Sequence, residues 1–316
     1  ASGYWIGNGS NTSWNNTANW SATTGGAGGS SVPVSTDDVT FDGGGTGKCQ
    51  IDATVNIKSI TVATAFTDTI FQNAYTITLG TTASAFSGGK FMGSSSSITC
   101  NGAFTLSGTV FKSTSGTFTS AANFTFSSGT FTHNNGTLKF TATNTITGNI
   151  TLYDVEFNAA SSSKTFTVAA GTTLTVDHNM TISGAYTGFV NTGTINLKGD
   201  IYLNSTALGG GGSSTLNIIG TGNQRIYGSS AYNTCRLINL NINKTSGTLY
   251  LSGIIAVTAS WTYTAGTIDG STYNGTVEFN GTLTITGSHT LHKVRFANLY
   301  TTNTYTLASG TTLTVT

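Results

Sequence analysis

Residues 136–158 read "GTLKFTATNTITGNITLYDVEFN", and residues 275–297 read "GTVEFNGTLTITGSHTLHKVRFA". The match continues without a gap from "TFTVAAGTTLTV" at 165–176 to "TYTLASGTTLTV" at 304–315. Apolar positions coincide almost throughout: Phe140 with Phe279, Ile146 with Ile285, Leu152 with Leu291, Val155 with Val294, Phe157 with Phe296, Leu174 with Leu313. A more degenerate copy occupies 214–253. Self-similarity of this kind marks repeat architectures, in which one structural unit is stacked on the next. Inside each copy Thr alternates with Leu, Val, Ile or Phe, and a period of two with β-branched residues specifies strands.

Outward from these copies, a Gly-Thr-apolar phrase recurs at Gly108, Gly116, Gly129, Gly136, Gly193, Gly247, Gly266, Gly275 and Gly281. Glycine at the breaks predicts tight corners with positive φ. From about residue 40 onward the chain reads as short strands and short turns, without a helical period. A pair of sandwiches and a solenoid both fit many short strands. The near-unbroken succession of strands and Gly-Thr corners favours an all-β parallel β-helix, a β-solenoid with irregular coils. Its Val, Leu, Ile and Phe would stack inward in rows, and its Thr, Ser and Asn would form outward ladders. Two segments are expected: a Trp/Gly/Ser-rich N-terminal cap over 1–40, and the β-helix over 41–316 with the internal duplication 136–176 and 275–315.

The opening "YWIGNGSNTSWNNTANWS" (4–21) has two readings. Trp5, Trp14 and Trp20 either cap the apolar end of the first coil or form a platform on which sugar rings stack. The same stretch carries Asn-x-Ser/Thr sequons at Asn8, Asn11, Asn15 and Asn19, candidate glycosylation sites in a source that glycosylates asparagine. Cys49 and Cys100 lie in similar strand-like contexts ("KCQID", "SITCNG"), so a disulfide between neighbouring coils is one reading and small buried thiols the other. The total of 3 cysteines leaves at least one thiol unpaired within the chain.

Composition narrows the chemistry. Only 7% of the 316 residues are charged, the formal net charge is +1, and Lys and Arg are scattered singly. That leaves no electrostatic footprint for nucleic acid. No apolar run approaches the roughly 18 residues of a membrane span. Hydrolytic chemistry on a β-helix requires paired carboxylates, and the tightest acidic group is Asp37, Asp38 and Asp42, which lacks the spacing of a calcium loop and suits turns and caps. Asp154 and Glu156 share a strand face, but their counterparts are Lys293 and Arg295. His289 and His292 would point to opposite faces of a strand, and their counterparts are Ile150 and Tyr153. No catalytic residue, metal ligand or cofactor is expected.

The block "YWIGNGSNTSWNNTANWS…VPVSTDDVTFDGG", the segment "IDATVNIKSITV" and the repeated "GTLTITG" and "GTTLTV" phrases resemble large repetitive β-helical bacterial surface proteins of adhesin or fibre type. The same phrases are similar to related β-helical phage virion and appendage proteins. The resemblance implies an elongated, non-enzymatic protein that is extracellular, at the cell surface or on a virion surface.

One feature bears on assembly. "TLASGTTLTVT" (306–316) ends where its counterpart "TVAAGTTLTVD" (167–177) runs on. A bare β-helix end is an unpaired strand edge. Thr312, Leu313, Thr314, Val315 and Thr316 are therefore an expected assembly edge, pairing with the next subunit by strand addition, unless the chain is a portion of something longer. A head-to-tail contact that does not close would build a filament. The expected partners are the chain itself, head-to-tail or laterally, and cell-surface glycans. The expected function is a structural extracellular rod, a subunit or segment of a surface fibre or adhesin, with a phage or virus appendage for host attachment as the alternative.

Overall fold

The computed structural model describes residues 2–297 and 302–316. The described chain is all-β from Ser2–Trp5 to Leu313–Val315, apart from a short 3-10 turn at Thr17–Asn19. Stacked parallel strands make a β-solenoid of about 13 turns. These turns are carried in two compact units, one comprising the chain up to Phe140 with Asn144–Tyr153, the other Thr141–Thr143 with the chain from Asp154 onward.

In the first unit, alternation places every second side chain inside, and parallel register sets like on like. Cys49 lies opposite Ile70, Ile70 opposite Phe91, Phe91 opposite Phe111, and Phe111 opposite Phe131. A second row runs Ile57, Leu79, Cys100, Ser120, Phe140. The phenylalanine rings stack as the coils do: Phe91 and Phe111 have centroids 4.7 Å apart at 12°, and Phe111 and Phe131 are 6.1 Å apart at 7°. Hydrogen bonds between coils include Thr109 to the Gly89 carbonyl and Asn101 to the Leu79 carbonyl, spanning 20 and 22 residues, and in the second unit Lys198 to Asp177 and Ser183 to Glu156, spanning 21 and 27.

The cap is the first rung of this stack. Ser2–Trp5 runs parallel to Asp38–Phe41 with Trp5 opposite Phe41, so the expected boundary after residue 40 falls inside a strand. On its other side Ser2–Trp5 is held antiparallel by Trp20–Ser21. Trp5, Trp14 and Trp20 are 0%, 2% and 0% exposed. Their rings pack around Phe41, with Trp5–Trp20 at 5.3 Å, Trp14–Trp20 at 4.7 Å and Trp5–Phe41 stacked at 5.6 Å. The Trp20 indole N–H donates to the Trp14 carbonyl at 2.7 Å, and the Trp5 indole N–H to the Gly47 carbonyl at 3.2 Å. A buried indole needs such a partner. The sugar-platform reading is thereby corrected: no Trp face is open to a ligand.

Two further expectations are corrected nearby. Asn19 is fully buried. Its amide oxygen accepts the Gly9 N–H at 2.6 Å, and its amide nitrogen donates to the Asn11 and Ser13 carbonyls at 3.0 and 2.8 Å. Both amide hydrogens are used inside the fold, so Asn19 has no room for a glycan, whereas Asn8, Asn11 and Asn15 are exposed. The Cys49–Cys100 disulfide is not formed; Cys49, Cys100 and Cys235 are all free and buried. The reason is the row each occupies: Cys49 sits on Ile70, and Cys100 sits on Leu79.

Glycine in the Gly-Thr phrase serves two purposes. Gly129 has φ of +96°, as a corner requires. Gly136 has an ordinary φ, but a Cβ there would lie 2.0 Å from the Thr114 carbonyl oxygen of the coil beneath. Close approach between coils, not backbone handedness, selects glycine at the second position.

In the second unit one inward row runs Leu174, Ile195, Leu216, Leu240, Trp261, Ile285, Leu307. Outside it, asparagines form a ladder: Asn217 donates to Asn196 at 2.8 Å, Asn241 to Asn217 at 3.2 Å, and Thr264 to Asn241 at 2.8 Å. Each side chain thus satisfies the next, which explains Asn in strand interiors where it is usually disfavoured.

Two outcomes follow for solution studies. Trp20→Ala should cost about 3–5 kcal/mol of first-unit stability, as other large buried aromatics do, measured as a lowered urea midpoint; an unchanged midpoint would contradict the cap. Burial raises the Cys100 and Cys235 thiols to about 11 and pushes Cys49 well above its ordinary value. A thiol-reactive chromophore at neutral pH should therefore react with none of them until denaturant is added.

Candidate assembly edge

The duplication carries into structure residue for residue. Thr137–Phe140 corresponds to Thr276–Asn280, Asn144–Thr147 to Leu283–Thr286, Ile150–Leu152 to His289–Leu291, and Asp154–Asn158 to Lys293–Ala297. The long strand Lys164–Val176 corresponds to the pair Tyr305–Leu307 and Leu313–Val315. Burial separates the copies. Phe157, Val168 and Val176 are each 0% exposed, whereas Phe296, Leu307 and Val315 are 53%, 50% and 53% exposed.

The first copy shows how these positions are covered when a further coil follows. Lys164–Val176 is covered by the parallel strand Gly188–Leu197, with Leu174 opposite Ile195 and Val176 opposite Leu197. In the second copy Leu307 rests on Ile285, and Val315 on Leu291. Among the described residues no strand follows to cover them. Leu313, Thr314 and Val315 form the final strand, with Thr312 and Thr316 exposed on either side. Sequence reasoning does not reach Leu307 and Phe296, although their alignment with Val168 and Phe157 holds the signal.

A histidine supports this edge from beneath. His289 lies opposite Leu313. Its Nε2 accepts the Trp261 indole N–H at 3.0 Å, and its Nδ1 lies 2.7 Å from the Gly287 carbonyl, so the partners assign a neutral ring protonated on Nδ1. Its ring stacks on Tyr263 at 5.1 Å. Burial holds its pKa below the ordinary value of 6.5, with the Gly287 bond opposing in part. Protonation would put N–H against N–H at Trp261.

The carboxylates are engaged locally. Asp37 accepts from the Val34 amide, Asp42 from Gly44 and Thr24, Asp68 from Thr69, and Asp269 from Ser271 and Thr272. The Thr272 hydroxyl and amide hold Asp269 down to about 2. The others tie one coil to another: Asp38 to Ser59 and Lys58, Asp52 to Asn15, Asp154 to His178 and Asn179, Glu156 to Ser183, Asp177 to Lys198, Asp200 to the Arg225 amide. Glu278, 0% exposed, accepts from Asn233 at 2.8 Å and lies 3.2 Å from the Arg295 guanidinium. The charge reversal seen in sequence at 293 and 295 thus has a partner for each cation: Lys293 bonds Asn274, and Arg295 meets Glu278.

No helix among the described residues is long and apolar enough to cross a membrane. Comparisons with protein-family models, with curated proteins and with solved structures find no match.

The edge should respond to acid. His289 has a lowered pKa when folded, so the folded state binds fewer protons than the unfolded one, and stability is lost as pH falls through 6.5. Protection factors for amide exchange in His289–Leu291 and Leu313–Val315, referred to the intrinsic rate at each pH, should fall below that pH, and His289→Gln should flatten the response. An equal fall in both proteins would show that another group is responsible.

Proposed function

We propose that the chain is a non-enzymatic structural segment of an extracellular surface fibre or adhesin, whose terminal edge takes a further β coil. The observation that carries this reading is the contrast between the copies: the same apolar side chains are sealed under a parallel coil at 164–176 and bare at 305–315. That coil comes either from residues that follow Thr316 in a longer chain or from a second copy added by strand pairing. The opposite end is less receptive, because Trp20–Ser21 already occupies the outer edge of Ser2–Trp5. Head-to-tail addition would have to displace that short pairing, whereas two copies meeting edge to edge across a two-fold axis would not.

The chemistry of the surface supports a structural rather than a catalytic role. All 11 acidic residues of the chain accept hydrogen bonds within turns or between coils. Strand edges of this kind associate unless they are covered or charged. An extracellular setting rests on the resemblance of the opening block and repeats to bacterial surface proteins and on a surface built of Thr, Ser and Asn.

Analytical ultracentrifugation with electron microscopy tests the proposal. The wild-type chain should associate as concentration rises, into dimers by two-fold pairing or filaments by head-to-tail pairing. Leu307→Lys with Val315→Lys should leave a monomer with an unchanged circular dichroism spectrum. A wild-type chain that stays monomeric throughout would overturn the assembly reading.

A further inference from the structure

Away from the edge, the second unit carries a cluster of loops. Three successive turns swing out as loops around 184–188, 204–213 and 228–237. Between the second and third lies a half-open cavity of about 310 Å³. That volume is at the small end of the range for small-molecule sites. Its walls include Asn204, Ser205, Thr206, Ser229, Ser230 and Thr234, and no charged side chain lines it.

The walls are fixed from behind. Thr234 donates its hydroxyl to Ser229 at 2.6 Å. Asn233, at φ of +62°, gives its amide to the buried Glu278 and receives Arg236 and Asn280 on its side-chain oxygen at 2.7 Å each. The third loop is therefore pinned by a buried polar cluster, which explains why Glu278 is fully enclosed. A site held this way loses little freedom on binding.

The surroundings of the cavity are apolar and exposed. Tyr186 is 46%, Leu208 64% and Tyr232 46% exposed. Ser205 donates to the Tyr186 carbonyl at 3.2 Å, and Leu208 bridges Thr234, so the backbone of both residues adjoins the walls. Tyr232 belongs to the third loop itself and carries Arg295 over its ring at 3.9 Å.

The geometry points to a binding site for a neutral sugar residue, the terminal unit of a surface glycan. Hydroxyl and amide walls match the alternating donors and acceptors of sugar hydroxyls. The C–H face of a pyranose packs against a tyrosine ring as other apolar surface does. The walls themselves hold no cation for an acidic sugar's carboxylate, and Arg295 over the Tyr232 ring is already paired with Glu278. The inference deepens the adhesin reading by naming a ligand class, and its biological setting rests on that reading. It also moves sugar recognition from the buried tryptophans to these loops.

Saturation-transfer difference NMR of the intact chain tests it, with galactose, glucose, mannose, N-acetylglucosamine and N-acetylgalactosamine as probes and glucuronic and sialic acid as acidic comparators. At least one neutral sugar should show transfer, lost in Ser230→Trp, which fills the cavity, and weakened in Tyr186→Ala. Both variants should keep the wild-type melting curve; should Ser230→Trp not fold, Ala231→Trp on the same wall replaces it. Absence of transfer from every neutral sugar, transfer surviving in the filled cavity, or preference for the acidic sugars would overturn the site. Failure here leaves concentration-dependent association intact, and a monomeric chain leaves the sugar signal intact, so the two readings fail separately.

Discussion

In-register stacking of one coil on the next is the constraint from which the other features follow. A single coil cannot bury its own inward face, so each apolar side chain depends on the one above and below it. The row from Leu174 to Leu307 makes the dependence visible. Every member from Leu174 to Ile285 is at most 1% exposed, and Leu307, with a neighbour on one side, is 50% exposed. The cap answers the same need in the first unit by placing Trp5, Trp14 and Trp20 around Phe41.

Stacking also dictates the polar chemistry. Side chains that repeat along the outside must hydrogen-bond to like neighbours, which asparagine does and lysine does not. Charge is used sparingly and tied down where it occurs. Lys244 shows the limit: 2% exposed, it donates to the Gly220 and Gly222 carbonyls at 2.5 and 2.9 Å and to Gln224 Oε1 at 2.9 Å. Three acceptors match the three protons of an ammonium group, although burial lowers its pKa. Exposed pairs such as Lys198–Asp177 add little, since solvent screens them.

Fold class was legible in the sequence because its signal is redundant: the period of two, the gapless duplication and the glycine breaks all specify stacked strands. The exposure of 305–315 was legible in part, because Val315 could be set beside Val176. Other features turn on packing that local pattern does not encode. The tryptophans look alike whether they seal a coil or face solvent, and the difference lies in indole partners such as the Trp14 carbonyl. Asn19 matches a sequon, yet its amide is consumed by Gly9, Asn11 and Ser13. The two cysteines share a context but not a row. The loop cluster around Thr234 was hidden because its pinning residue, Glu278, lies far along the chain and reads as one more strand acid.

Residues 305–315 repeat 166–176, and among the described residues no coil covers them as Gly188–Leu197 covers the first copy. Amide hydrogen exchange followed by mass spectrometry, in dilute and in concentrated protein, tests it most directly. Residues 166–176 should be strongly protected at both concentrations, and 305–315 weakly when dilute and more strongly as concentration rises. Equal protection of the two segments at every concentration would contradict it.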